Sequence, residues 1–233
     1  MKKKILEFIK KYAKWIIIFI CFVLTMEMVI DVFGHEIMKR DIIGYGLISK
    51  YLIRDEITPI AKIITELSGV TVILILTLLC MIFIKNKKVA MTVPINLFIV
   101  VTLNVILKNI VQRPRPTELR LITETGYSFP SGHSMVSMAF YGYFIFLIYE
   151  LVKSKKIKIT LITIISILIP LIGTSRIYLG VHYTSDVMAG FLISIAYLLI
   201  YTSAVKKYVL DDVKSSEKDK DEEKEKGNLK NDE

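Results

Sequence analysis

An all-α, polytopic membrane fold of about six transmembrane helices follows from three features of this chain. Hydrophobic residues make up 53% of it. Several apolar runs reach the ~20 residues a helix needs to cross a hydrocarbon core. Lysine clusters punctuate those runs at alternate ends, as topology signals do.

Residues 1–14 are lysine-rich and form a basic N-terminus, expected on the cytoplasmic side. The apolar run over 15–33 has the charge pattern of a secretory leader. It is too long for one, and no small-x-small cleavage pattern follows it, so it is expected to stay as the first membrane helix. Further spans are expected over residues 60–84, 89–107, 131–152, 159–174 and 184–205. Pro94 and Pro170 fall inside spans, where membrane helices tolerate kinks. Between the first two spans, residues 34–59 alternate apolar side chains (Ile42, Ile43, Leu47, Ile48, Tyr51, Leu52) with charges at near-helical spacing. That pattern suits an amphipathic helix lying in the interface, loosened by Gly44 and Gly46. It would act either as a lid or lipid guide, or as a connector that shields apolar surface. Residues 15–207 thus read as one membrane-embedded domain. Residues 208–233 form a charged tail, expected to be cytoplasmic and disordered, because it carries too little apolar surface to offset the entropy of ordering.

The formal charge is +9, unevenly spread. The segment 211–233 carries ten acids and six lysines, a net −4, which leaves +13 on the rest of the chain. This excess flanks apolar spans and does not form one soluble basic face, so nucleic acid is not an expected partner. Cys21 and Cys80 lie inside apolar runs and read as packed thiols. No zinc-type Cys/His spacing and no carboxylate run suited to magnesium is present, so neither metal nor cofactor is expected. The N-terminus and the clusters at 85–88, 153–158 and 206–207 fall on one side of a six-span arrangement, which the lysine bias makes the cytoplasm. The remaining polar residues should then face outward.

Those polar residues concentrate in three stretches. In the last, His182 and Asp186 are four apart at the start of a span, a spacing that puts two residues on one face of a helix. A carboxylate there can accept a hydrogen bond from one ring nitrogen, which fixes the tautomer and leaves the other lone pair free to attack. Arg176 lies six residues before His182, across a stretch that could turn, and a guanidinium fork matches two phosphoryl oxygens. In the middle stretch, Pro130 is placed to begin a helix, and Ser131, Gly132 and His133 open it. First-turn N–H groups bind anions, Gly132 permits close approach, and the Ser131 hydroxyl adds a donor. His133 suits a general acid. In the first stretch, Lys108 ends a span and Arg115 follows between Pro114 and Pro116, which stiffen the loop. Both would neutralise phosphate charge during transfer. Strongly polar groups at a membrane are costly without purpose. Together they point to an enzyme that removes phosphate from a lipid at the bilayer surface.

The patterns K-x6-RP over 108–116, PSGH over 130–133 and SR-x5-H-x3-D over 175–186 resemble the signature of the type 2 phosphatidic acid phosphatase (PAP2) family, intact and in order. The resemblance covers roughly residues 31–205. It implies a six-helix, metal-free membrane phosphatase with an outward site. It also implies that His182 is the nucleophile, Asp186 its partner and His133 the acid, with Lys108, Arg115, Ser131, Gly132 and Arg176 binding phosphate. Undecaprenyl diphosphate is the substrate expected first, for an outward site; phosphatidylglycerophosphate and phosphatidic acid are the alternatives. A transporter or scrambler would need the cations but not two histidines and an Asp set around one. A vanadate-dependent haloperoxidase shares the constellation, but the spans argue against it.

Other polar residues have plainer readings. Glu27 and Asp31 could face the bundle or mark the outer boundary, and His35 reads as interfacial. Arg113 and Arg120 flank the motifs, and their functional reading is contact with a second phosphate or a headgroup.

Overall fold

The computed structural model describes residues 2–34, 37–117, 120–213 and 215, with side chains described from residue 11 onward. Among them there are helices and no strand. In chain order these are α1 (Lys2–Phe33), α2 (Lys39–Tyr51), α3 (Thr58–Glu66), α4 (Val70–Phe83), α5 (Lys87–Val111), α6 (Gly132–Leu151), α7 (Lys155–Tyr178) and α8 (Thr184–Val205). α8 runs on through a π-helical turn (Lys206–Leu210).

Local chemistry sets the ends of the spans. The Asn86 side chain accepts from the N–H groups of Lys88 and Val89 and caps α5; Gln112, in the left-handed region at φ 51°, closes the other end. Ser131 and Ser154 cap α6 and α7 through the amides of Ser134 and Ile157. Gly180, at φ 70°, allows the tight reversal from α7 to α8.

Five single helices are long and apolar enough to cross a membrane, and the bent pair α3–α4 is a sixth candidate by length and composition. The span expected over 60–84 is therefore not one helix: its halves meet at 43°. The bonds Leu67 N–H to Ile64 O, Ser68 N–H to Thr65 O and Gly69 N–H to Glu66 O tighten the end of α3. The chain is then extended at Gly69. The released Leu67 carbonyl accepts from the Tyr141 hydroxyl of α6 at 2.5 Å, so the break is satisfied within the protein, as a membrane requires.

α6 lies at the centre, packed on α5, α7 and α8; α1 packs on α8, α4 on α5, and α3 on α7. The main core gathers Val93, Phe140, Tyr143, Leu147, Ile169 and Ile172. Its buried polar groups are paired across helices: Thr92 Oγ1 with Tyr143 OH at 2.5 Å, Tyr197 OH to Asn96 Oδ1 at 2.8 Å, and Asn96 Nδ2 to Ala139 O at 2.9 Å. Large apolar side chains such as Phe19, Phe22, Ile30 and Phe98 face outward, as lipid-facing residues do.

The segment expected as an interfacial helix forms α2. It rests on α7 and α8. Ile42, Ile43, Leu47 and Tyr51 point outward, while Asp41 and Ile48 are buried. Gly44 is a contact point, since a Cβ there would come within 2.2 Å of Thr184 Oγ1. The tail boundary also moves. Leu210 is buried in the main core and Asp212 pairs with Lys88 at 2.6 Å, so helical packing continues past 207 to residue 213. The rest of the tail, except residue 215, lies outside the described residues, as does His35. Cys21 and Cys80 are free thiols in the bundle, as expected.

Helix order places the chemistry. α5 and α7 begin in lysines and end at Lys108 and Arg176; α6 and α8 begin at Gly132 and Thr184 and end near Glu150 and Lys206. Lys14 of α1 donates to Ser203 of α8 at 3.2 Å. The motif residues therefore share one end of the bundle, and Lys14 with the lysine clusters at 85–88, 153–158 and 206–207 share the other.

Candidate active site

Four helix ends, one loop and α2 meet at that end. Pro130 to His133 is drawn against the start of α8 by the bond from Ser131 N–H to Asp186 O at 3.0 Å. The approach is close: a Cβ on Gly190 would lie 3.0 Å from Ser131 O and 3.0 Å from Ser134 Cβ. Asn104 of α5 donates to Pro130 O at 3.1 Å and holds the other side. Ser131, fully buried, accepts from the Ser134 amide and hydroxyl. Gly132 and His133 are the first residues of α6, so their N–H groups are first-turn donors with no helical acceptor.

His182 and Asp186 meet differently from the expected shared helix face. His182 precedes α8, one residue before the N-cap Tyr183, and Asp186 is the third helical residue. Asp186 Oδ2 accepts from the Tyr183 amide at 2.9 Å and faces His182 Nδ1 at 3.3 Å. The carboxylate thus caps the helix and orients the ring at once. The ring is 3% exposed. Burial pushes its pKa down to about 4, against the opposing pull of the Asp186 hydrogen bond and charge. His182 is therefore neutral near pH 7. With Nδ1 donating to Asp186, Nε2 carries the lone pair, and it accepts from Arg115 Nη1 at 3.1 Å.

The cations converge on this ring. Arg115 also donates to the carbonyls of Thr125, Gly126 and Val181. Arg176 lies in the last turn of α7, which runs past the expected end at 174; it is 1% exposed, donates from Nη1 to Thr65 Oγ1 at 2.7 Å, and its buried Nε has no hydrogen-bond partner. Lys108 Nζ donates to Tyr127 O and acts electrostatically on Arg115, Arg176 and Asp186. His133 is within electrostatic reach of Arg176, Glu124, His182 and Arg115. All eight expected site residues gather at one place.

Three further residues were not found by motif reasoning. Glu124, on the α5–α6 loop, accepts from Arg176 Nη2 at 2.5 Å and lies 3.9 Å from Arg115 Nη2. Burial raises its carboxyl, but the bond and charge of Arg176 outweigh that and leave it below the ordinary value. Arg113 does not reach toward a headgroup, as its flanking position suggested. It is buried, donating from Nη1 to Asp186 Oδ1 at 2.7 Å and from Nη2 to Asp41 Oδ2 at 2.8 Å. Asp41 of α2 is the third. Arg120 folds back onto the Pro116 and Arg115 carbonyls. Glu27 and Asp31 both pair with Arg40, at 2.5 and 3.4 Å, and join α1 to α2 at the site end. Among the described residues, no three His, Cys, Asp or Glu side chains cluster as a metal site. A cavity of about 400 Å³ opens between α2 and the start of α8, walled by Asp41, Tyr45, Pro116, His182 and Tyr183.

Comparison with known proteins agrees with this architecture. The chain is 40% identical over 100 residues to phosphatidylglycerophosphatase B of Bacillus subtilis (strain 168), a match over 42% of this chain that spans about half (48%) of that relative's length. The structure is similar to the crystal structure of a transmembrane PAP2-type phosphatidylglycerolphosphate phosphatase from Bacillus subtilis, with TM-score 0.68 and 24% identity over 84% of this chain and 98% of that one. It is also similar to Aquifex aeolicus LpxE, with TM-score 0.54 and 25% identity over 70% of this chain and 93% of that one. The family model of the PAP2 superfamily matches residues 69–209, and the chain belongs to that superfamily.

Proposed function

We propose that this protein is a membrane phosphatase that hydrolyses lipid phosphates through a phosphohistidine on His182. The observation that carries the reading is the His182 ring. It is buried and neutral, held through Nδ1 by Asp186, with its Nε2 lone pair turned toward a guanidinium. That is the tautomer a nitrogen nucleophile needs.

The phosphoryl group binds between Arg115, Arg176 and Lys108, with the amides of Gly132 and His133 at the start of α6. The buried, unpartnered Arg176 Nε is a donor ready for a phosphoryl oxygen. Ser131 is an acceptor in both its bonds with Ser134, so its own O–H is left to donate. Nε2 of His182 attacks phosphorus; the bond to the lipid oxygen breaks, and His133 gives that oxygen a proton. Asp186 stabilises the cationic phosphorylated ring. Water then attacks the phosphohistidine, His133 takes its proton, and inorganic phosphate leaves. No step calls on a metal, because the chain's own cations face the phosphate.

Substrate choice rests on chemistry outside the cradle. The likeness to phosphatidylglycerophosphatase B puts phosphatidylglycerophosphate first. Undecaprenyl diphosphate is a second reading, favoured by lysine clusters at the bundle end opposite the site, which orient the site outward. Phosphate release by the purified protein from phosphatidylglycerophosphate, phosphatidic acid and undecaprenyl diphosphate, in excess EDTA, tests both the activity and the order of substrates. Release from none, or release only on adding magnesium, would remove this reading. Impermeant labelling of a cysteine placed at Thr125 in intact cells tests the outward orientation; labelling only after lysis would reverse it.

A further inference from the structure

We propose that Asp41 and Arg113 are positioning residues for the nucleophile, and that they tie the seating of α2 to the charge and geometry of the Asp186–His182 pair. The proposal rests on the reading of His182 as nucleophile.

The connection is continuous and buried. Asp186 spends Oδ2 on His182 and the Tyr183 amide, and Oδ1 on Arg113. Arg113 Nη1 also donates to Ser185 Oγ at 2.7 Å, and its guanidinium stacks 3.9 Å from the Tyr183 ring centroid. Its Nη2 goes to Asp41 Oδ2, while Asp41 Oδ1 accepts the Ser185 amide at 2.8 Å. Arg113 therefore grips Tyr183, Ser185 and Asp186 at the α8 start, and Asp41 grips both Arg113 and that start. Side-chain exposures of 6% for Arg113, 1% for Asp41 and 0% for Asp186 keep the triad out of bulk solvent. Neither the Asp41 nor the Arg113 side chain bonds to a residue of the phosphate cradle.

Charge gives the arrangement its consequence. Arg113 alone beside Asp186 would cancel the carboxylate that a phosphorylated His182 needs. Asp41 neutralises Arg113, so the buried triad keeps a net charge of −1 facing the ring. The other groups acting on His182 are Arg115 from the loop, Arg176 from α7 and His133 from α6, all cationic or protonatable; Lys108 acts on Asp186, and Glu124 acts on His133. The triad is thus the only net negative charge bearing on the ring among these groups. Because Asp41 lies on α2, beside Gly44 where α2 meets Thr184, displacement of α2 would loosen Arg113 and with it Asp186.

Two charge-removing variants separate charge coupling from simple support. In Arg113→Gln, Asp186 and Asp41 both act on the ring unopposed, and His182 takes up its proton at a higher pH than in the wild type. In Asp41→Asn, Arg113 is uncompensated, and His182 holds its proton less, shifting the other way. Each displacement should be about one pH unit or more. The double variant Asp41→Asn/Arg113→Gln has no charge on either residue and should titrate near the wild type. The measurement is a ¹⁵N-histidine NMR titration of the full chain in detergent, paired with kcat and KM on a lipid phosphate. Turnover should fall about tenfold or more in both single variants, with KM nearly unchanged, because the loss is of orientation. Equal titration in all four proteins, or shifts of the same sign in the single variants, would overturn the proposal. If a single variant does not fold, the double variant decides: reduced kcat with near-wild-type titration supports the proposal, and wild-type kcat overturns it. A wild type that releases no phosphate would sink the phosphatase reading, while the titration would still decide the coupling.

Discussion

Replacing Asp186 by Asn removes one charge and almost no volume, so its effect can be worked from distances. Nδ1 of His182 lies 3.3 Å from Oδ2. A full positive charge on the ring at that separation is stabilised by about 5 kcal/mol at an effective dielectric of about 20. Ring charge is only partly developed as Nε2 bonds to phosphorus; at about half, the loss is about 2.5 kcal/mol, on the order of a hundredfold in kcat. A second effect acts in the same direction. Asn offers one oxygen and one NH2. If the oxygen accepts from Arg113, the NH2 faces Nδ1 and forces it to accept, which moves the ring proton onto Nε2, the attacking atom. The penalty then grows toward the roughly ten-thousandfold that wrong-tautomer histidine shows in a serine-protease triad. Stability should fall by about 1–3 kcal/mol, less than for a fully orphaned buried charge, since Arg113 keeps Asp41. The assay is phosphate release from detergent-solubilised protein at saturating lipid, with melting followed in the same buffer. Full turnover by a folded Asp186→Asn protein would refute the assignment of this pair.

His133→Ala should slow turnover greatly on lipid phosphates and much less on p-nitrophenyl phosphate, whose leaving group departs without a proton; equal losses on both would remove His133 as the acid. The rate on such an activated ester should hold down to about pH 4, well below the ordinary histidine range, because burial keeps the His182 ring neutral until then. Stability should fall across the same window, since an unfolded histidine takes up its proton below about 6.5 while the folded ring does not; an acid limb for the rate near 6.5 would contradict the buried, neutral ring. Glu124→Gln should tighten inhibition by vanadate and by inorganic phosphate, because Arg176 and Arg115 lose an internal competitor; unchanged inhibition constants would show that Glu124 does not compete for the cradle.

The helices were legible because lipid-facing surfaces demand long apolar runs whatever lies inside. The motif residues were legible because few other strongly polar groups lie near those helix ends. What escaped was set by contacts distant in sequence. The break before Gly69 lies within an apolar run, so hydropathy does not register it; its satisfaction comes from Tyr141 on another helix. Asp41 looked like one charge of an amphipathic segment, and only the fold turns it inward to Arg113. His182 and Asp186 have helix spacing but meet across an N-cap, since the chain at Gly180–Tyr183 is turning. Arg113 carried a weak signal: a second arginine one proline away from a motif arginine, at a place where unpaired charge is costly.

The carboxylates around the site divide into two kinds, and the division sorts the arginines. Asp41 and Asp186 have side-chain exposures of 1% and 0% and are bound from several directions, so Arg113 between them cannot change partners without opening the protein. Glu124 is 29% exposed and sits on a loop. Its partners are Arg176 and Arg115, the two guanidiniums proposed to hold the phosphoryl group. A buried guanidinium in a membrane protein needs a counter-charge before substrate arrives as well as after, and Glu124 supplies it in a form that an incoming phosphate can replace. In the proposed mechanism Arg115 makes the same exchange at His182. Its Nη1 lies on Nε2 of His182, so the lone pair is occupied until a phosphoryl oxygen draws the guanidinium away. On the proposed mechanism, filling the cradle and freeing the nucleophile are one event, while Arg113 keeps Asp186 in register.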